Sequence, residues 1–184
     1  MFIIKRKYYF YIDNIKLVNL NLIKKNSKIT FIYRPEYKIE SFSKILKFRK
    51  KCKELRINFF VSNSPSLAKS LRADGLYISA YNKQIYRNIK IIGSAHNFRE
   101  INEKIKQGCH EVVLSRLFKT NYKNKKSFYG VLKFNLMCQK YKIDIIPLGG
   151  INNKNLLNLN LVKSQAIAIL SAVKKKPAIS NRLF

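Results

Sequence analysis

Acidic side chains are scarce in this chain: nine Asp and Glu stand against 38 Lys and Arg, for a formal charge of +29 over 184 residues. Such a charge draws nucleic acid, anionic lipid and phosphorylated metabolites from a distance. The lysines are nevertheless spread over nearly every segment, beside abundant Asn, Ile, Tyr and Phe. That pattern points to a compositional bias and solvated lysine faces, with Lys123-Asn124-Lys125-Lys126 and Lys174-Lys175-Lys176 left as loose phosphate contacts. Specific nucleic-acid binding would rest on charge alone. Cysteine is also rare. Cys52, Cys109 and Cys138 are odd in number and lack C-x-x-C spacing, which excludes a disulfide framework or zinc site and predicts reduced, buried thiols in a cytoplasmic protein. No stretch reaches the roughly 18 apolar residues needed to span a bilayer. Met1 to Ile12 mixes basic and apolar residues as a signal peptide does, but lysines break the run and no small-residue cleavage site follows, so it is expected to form the first strand. No linker, repeat or Pro/Gly/Ser-rich break divides the chain, and one domain over 1–184 is expected.

What the sequence does contain is a series of short apolar runs rich in β-branched and aromatic residues. Tyr8 to Ile12, Ile29 to Tyr33, Ile57 to Val61, Gly75 to Ile78, Lys90 to Gly93 and Glu111 to Leu114 precede two more that begin at Ile143 and Ala166, eight in all. Between them lie stretches with a period near 3.6, such as Ser41 to Arg56 with Phe42, Ile45, Leu46, Cys52 and Leu55 on one face. Ser64 before Pro65, and Asn97 with Glu100, sign helix starts. Strand and helix alternating throughout force parallel strands with right-handed crossovers, which predicts an α/β fold, a compact (β/α)8 TIM barrel. The 184 residues leave about 23 per unit where typical barrels have about 250 in total, so some units must be trimmed. The first is the natural candidate, since Ile15 to Lys28 is flanked or interrupted by Asn14, Asn19, Asn21 and Asn26.

The last two strands end in small residues, at Leu148-Gly149-Gly150-Ile151 and Leu170-Ser171-Ala172. In barrels of this kind the loops after strands seven and eight offer backbone N–H groups to an anion, so the pair is read as a phosphate cradle. A tight turn alone is the simpler account of the two glycines.

The order Ile91-Ile92-Gly93-Ser94-Ala95-His96, Ser115-Arg116-Leu117-Phe118-Lys119-Thr120-Asn121-Tyr122-Lys123, Leu148-Gly149-Gly150-Ile151-Asn152 and Leu170-Ser171-Ala172-Val173 resembles the thiamine-phosphate synthase and TenI family. The likeness extends back through Ala73-Asp74-Gly75-Leu76-Tyr77 and Phe59-Phe60-Val61-Ser62-Asn63 to Ile32-Tyr33-Arg34. It implies a transferase of thiamine biosynthesis that joins hydroxymethylpyrimidine pyrophosphate to a thiazole phosphate, giving thiamine phosphate and pyrophosphate. In that family pyrophosphate leaves first and the thiazole nitrogen attacks the resulting pyrimidinyl methyl cation, so neutralising the leaving group matters more than a base. By the resemblance Arg34, Thr120 and Lys123 hold the pyrophosphate, Ser94 and Lys123 act at the reacting centre, and Gly149, Gly150, Leu170 and Ser171 hold the thiazole phosphate.

The family also implies Mg2+ between two aspartates after strands three and four, and here the chain departs from it. Those positions are Asn63, preceded by Ser62, and Asn82, following Ala80. Of the nine acids, Glu40, Glu54, Glu100 and Glu103 are read on helices and Asp74, Glu111 and Asp144 before strands; only Asp13 and Glu36 are expected near the C-terminal face. Ile32, Glu36 and Tyr122 replace a family glutamine, lysine and threonine, whereas Arg116 and Lys119 stand where prolines are usual. These added cations, with Lys38, are expected to take over charge neutralisation. Two further classes remain open at this stage. A thiazole tautomerase would need a histidine near the place of Arg116, with His96 as the one candidate near the mouth and His110 at the opposite end; a barrel that binds thiazole or thiamine phosphate without turnover would keep the cradle and lose the metal ligands.

Overall fold

The computed structural model describes residues 6–25, 27–36, 39–120 and 127–170. Eight parallel strands close into a barrel in chain order: β1 (Lys7–Ile12), β2 (Ile29–Tyr33), β3 (Asn58–Ser62), β4 (Gly75–Ile78), β5 (Ile91–Ala95), β6 (Glu111–Ser115), β7 (Asp144–Leu148) and β8 (Ala166–Ile169). Closure is made by β1 against β8, with Lys7 opposite Ala166 and Phe10 opposite Ile169. The strands are buried on both faces because one side fills the barrel and the other meets the outer layer, which is why they read as continuous apolar runs. Tyr9, Tyr11, Ile32, Phe60, Tyr77 and Ile92 are among the side chains that fill the interior. Phe31, Tyr33 and Phe59 point outward and pack with Phe48 of the outer layer or with one another.

The outer layer is thinner than strict alternation predicts. Among the described residues it holds four α-helices: α1 (Phe42–Glu54), α2 (Pro65–Ser70), α3 (Phe98–Lys106) and α4 (Gly130–Lys140). The first unit is trimmed to two 3-10 turns, Ile15–Leu17 and Leu20–Leu22, in which the Asn14 and Asn19 side chains accept from the Lys16 and Asn21 amides. Asparagine competes with helical hydrogen bonds by bonding its own backbone two residues on, so these residues end the turns they start. Between β4 and β5 there is no helix, and between β7 and β8 only 3-10 turns at Asn153–Asn155 and Leu157–Leu161. This corrects the expected alternation throughout the chain: a short connection becomes helix only where tertiary packing rewards it. Glu40 also differs from expectation. It precedes α1, and its carboxylate accepts from the Ile15 amide and from the Tyr33 hydroxyl, tying the trimmed first unit to the second strand.

At the floor of the barrel the Tyr9 hydroxyl donates to Glu111 at 2.8 Å, and Asp74 accepts from the Phe59 amide while paired with Arg49 at 2.9 Å. These acids therefore serve the N-terminal end, as expected from their place before the strands. Burial pushes the Cys52 thiol up to about 12 and those of Cys109 and Cys138 to about 11, and all three are free. They stay protonated and unreactive near neutral pH.

Packing inside the barrel is tightest at Gly75, which sits opposite Phe60 in the ladder. A Cβ there would lie 2.3 Å from the Phe60 ring and 2.4 Å from the Lys90 carbonyl oxygen. Gly75→Ala is expected to destabilise the fold by about 1–3 kcal/mol. Urea denaturation checks this through a lowered midpoint at unchanged slope; an unchanged midpoint would mean that the Phe60 ring yields without cost.

Candidate active site

Parallel closure brings the residues that follow each strand to one rim, the face where barrels of this kind carry their chemistry. Arg34 follows β2, with its amide on the Ile12 carbonyl at 2.8 Å. The inward alternation from Thr30 and Ile32 continues to Arg34, and its positive charge reaches the buried Tyr11 phenol inside the barrel. Burial is the larger influence on that phenol and raises its pKa, followed by Tyr77, whose ring meets Tyr11 edge-on at 5.3 Å; Arg34 opposes the rise. Ser94 lies on β5, 8% exposed, one alternation above Ile92 on the inner face.

The loops after β6 and β7 are joined. Leu117 and Phe118 donate their amides to the Leu148 and Gly149 carbonyls at 3.0 and 3.1 Å. Arg116 donates from Nη1 to the Thr120 hydroxyl and from Nη2 to the Ser127 carbonyl, both at 3.0 Å. Two residues predicted separately for this site, Arg116 and Thr120, are thus in direct contact. The glycines have a packing reason as well as a chemical one. A Cβ on Gly149 would be 3.0 Å from Arg116 Cγ, one on Gly150 would be 2.4 Å from the Phe118 carbonyl oxygen, and both residues have positive φ, +95° and +73°. Their carbonyls are engaged, Gly149 by Phe118 and Gly150 by the Asn152 and Asn155 side chains. Among the described residues, neither glycine amide donates to a carbonyl outside the strand ladders. Two N–H groups at a turn of positive φ are the ingredients of an anion nest.

In an eight-stranded barrel β2 and β6 stand on opposite walls. The loop that carries Arg34 and the loop that carries the Arg116–Thr120 contact therefore leave opposite walls. Leu170 follows β8 at the rim, 45% exposed. Lys119 is exposed on the same loop as Arg116. Lys38, Lys123 and Ser171, and with Ser171 the second arm of the predicted cradle, lie outside the described residues.

His96 belongs to the start of α3. Its amide donates to Glu100 Oε2 at 2.7 Å, its Nδ1 lies 3.0 Å from the same oxygen, and its carbonyl accepts from the Tyr129 hydroxyl. Asn97 completes the cap by accepting from the Glu100 amide. His110 enters β6 from the floor, its amide bonded to the Ile91 carbonyl.

Asn63 and Asn82 do meet at the rim, but not as a metal site. Asn63 Oδ1 accepts from the Ser79 amide at 2.9 Å and from Asn82 Nδ2 at 3.4 Å, while Asn82 Oδ1 accepts from the Gln84 amide at 2.9 Å. Mg2+ favours hard, charged carboxylate oxygens, and here both candidate oxygens are neutral and already committed to backbone N–H groups. Among the described residues no group of three or more His, Cys, Asp or Glu gathers anywhere. This donor set does not fit the ion.

One contributor had no signal in the sequence beyond its place on a helix face. Lys104 of α3 is fully buried, its ammonium donating to the Asn82 carbonyl and to Gln107 Oε1, each at 2.8 Å. Gly93 makes room for it, since a Cβ there would lie 2.9 Å from Lys104 Cγ and from Cys109 Sγ.

Together these features define a small α/β barrel whose rim carries Arg34, Ser94, the Arg116–Thr120 contact and two glycines of positive φ. The family profile described as thiamine monophosphate synthase matches residues 10–173, and the chain belongs to that family. Thiamine-phosphate synthases from two strains of Prochlorococcus marinus are 26% and 27% identical over 66% and 70% of this chain, which spans only 37% and 38% of their length. The thiamine-phosphate synthase of Pelagibacter ubique is 26% identical over 90% of this chain and 88% of its own. Among solved structures, thiamine phosphate pyrophosphorylase from Pyrococcus furiosus superposes with a TM-score of 0.74 at 20% identity, covering 98% of this chain and 93% of that one. At that identity the likeness speaks for the fold.

Two expectations follow. Gly150→Ala should cost about 1–3 kcal/mol through left-handed strain and the clash with the Phe118 carbonyl, read as a lowered urea midpoint. The Lys104 pKa is lowered, chiefly by burial, so between its folded value and the ordinary 10.5 the unfolded chain binds more protons than the folded one. Relative to Lys104→Met, the wild type should therefore gain stability as pH rises toward 10.5, measured by urea denaturation at several pH values; a constant difference would contradict it.

Proposed function

We propose that this chain is a thiamine-phosphate synthase, a cytoplasmic transferase with one barrel domain over 1–184 that acts on small phosphorylated substrates. What supports the proposal is the pair of loops after β6 and β7, joined to each other and carrying Gly149, Gly150 and the Arg116–Thr120 contact, in a barrel where Arg34 follows the opposite strand. In the reaction the C–O bond between the pyrimidine methylene and its pyrophosphate breaks, with the electron pair leaving on the pyrophosphate oxygen. The thiazole ring nitrogen then supplies its own lone pair to the methylene carbon, so no base is required. What the protein must provide is charge for the departing diphosphate and a fixed seat for the second substrate.

Arg34 offers a planar fork that matches phosphate oxygens, and Arg116 and Thr120 oppose it from the far wall. By the family resemblance Lys123, Lys119 and Lys38 add positive charge, Ser94 lines the reacting centre, and Gly149, Gly150, Leu170 and Ser171 seat the thiazole phosphate. A tautomerase has less support, because His96 is held by the α3 cap and its Glu100 partner.

The test is incubation of purified protein with hydroxymethylpyrimidine pyrophosphate and thiazole phosphate, followed by chromatography of thiamine phosphate. Product is expected, and Arg34→Ala should lower kcat/KM by about 100-fold or more, the order of losing a charged transition-state donor. Thermal stabilisation by thiazole phosphate with no pyrophosphate released would instead identify a binding protein.

A further inference from the structure

The rim between β3 and β4 is closed by side chains that would have to come apart to admit an ion. Asn82 is fixed on every side: its carbonyl accepts from Lys104 Nζ at 2.8 Å and from Gln107 Nε2 at 3.0 Å, its Oδ1 caps Gln84, and its Nδ2 donates to the Tyr86 hydroxyl at 3.0 Å and reaches Asn63 Oδ1 at 3.4 Å. Gln107 Nε2 also donates to the Gln84 carbonyl at 2.8 Å, so the helix face of α3 grips the segment at two successive places. Asn63, at φ 51°, is turned into the left-handed region that asparagine tolerates, with its oxygen on the Ser79 amide.

Two carboxylates this close would repel and need a cation between them; two amides have complementary donors and acceptors and touch without one. Turning either oxygen outward to an ion would give up its hydrogen bond from the Ser79 or Gln84 amide.

We propose that Asn63 and Asn82, anchored from behind by Lys104 and Gln107, form a cation-independent lock between the loops after β3 and β4, and that diphosphate is held at the mouth by arginine charge with no divalent ion in this corner. The second clause rests on the function proposed above; the first does not. Mg2+ is thus replaced in two separate roles. The amide pair and Lys104 supply the link between loops, and Arg34 with Arg116 supply the positive charge.

Titration of the full chain with Mn2+, read by loss of the free-ion electron paramagnetic resonance signal with and without inorganic pyrophosphate, tests the lock. No saturable binding below about 1 mM is expected beyond that of a protein-free control. Calorimetry with inorganic pyrophosphate in EDTA should show binding that Asn63→Ala and Asn82→Ala change by less than about threefold and Arg34→Ala weakens by about tenfold or more. Saturable Mn2+ binding that either asparagine variant abolishes, or pyrophosphate binding that appears only when Mg2+ is added, overturns the inference. If pyrophosphate binds under neither condition, the synthase proposal falls, and the Mn2+ titration of the wild type still decides the cation question without any variant.

Discussion

Closure of the parallel ladder is the constraint on which the rest depends. Once β1 pairs with both β2 and β8, all eight strands run one way and every strand exit lies on one rim. Alternation then assigns each side chain to the interior or the outer layer with no further choice. Tyr9, Tyr11, Phe60 and Tyr77 crowd the interior, so it is a packed core with a floor of phenols below the mouth. Glycine is needed at Gly75 and Gly93 because the neighbours Phe60 and Lys104 already occupy the space a Cβ would take.

On that rim the two halves are built differently. In the β6–β7 half the loops are zipped through Phe118 and Gly149, and Arg116 clasps Thr120 and Ser127. The β3–β4 half is tied by the Asn63 and Asn82 amides, with Lys104 buried behind Asn82. A chain with so few acids cannot easily assemble a carboxylate metal site. Its excess of basic residues provides another way to offset the charge of a phosphorylated ligand, and the short connections without helices leave the rim held by side-chain hydrogen bonds.

Much of this was legible in the sequence because it depends on local periodicity and on residue types with narrow conformational uses. The eight apolar runs gave strands whose limits moved by a residue or two, Ser64 with Pro65 and Asn97 with Glu100 cap α2 and α3, and the asparagines after Tyr11 mark a trimmed unit. The site blocks were readable as families of positions at strand ends. Less legible was the outer layer. The helices that strict alternation would put in the β4–β5 and β7–β8 connections did not form, since a short segment folds as helix only if tertiary packing rewards it.

The sequence by itself determined the barrel, the rim on which Arg34, Ser94, Thr120, Gly149 and Gly150 stand, and the lack of carboxylates at Asn63 and Asn82, because alternation, strand count and side-chain chemistry are local properties. Only the tertiary structure decided what touches what across the rim: that Arg116 grips Thr120, that Gly150 must be glycine because the Phe118 carbonyl lies against it, that Glu40 ties the first two units, and that Lys104 is a buried cation under Asn82. Those contacts join residues far apart in the chain, and their free energies depend on distances that no linear spacing encodes.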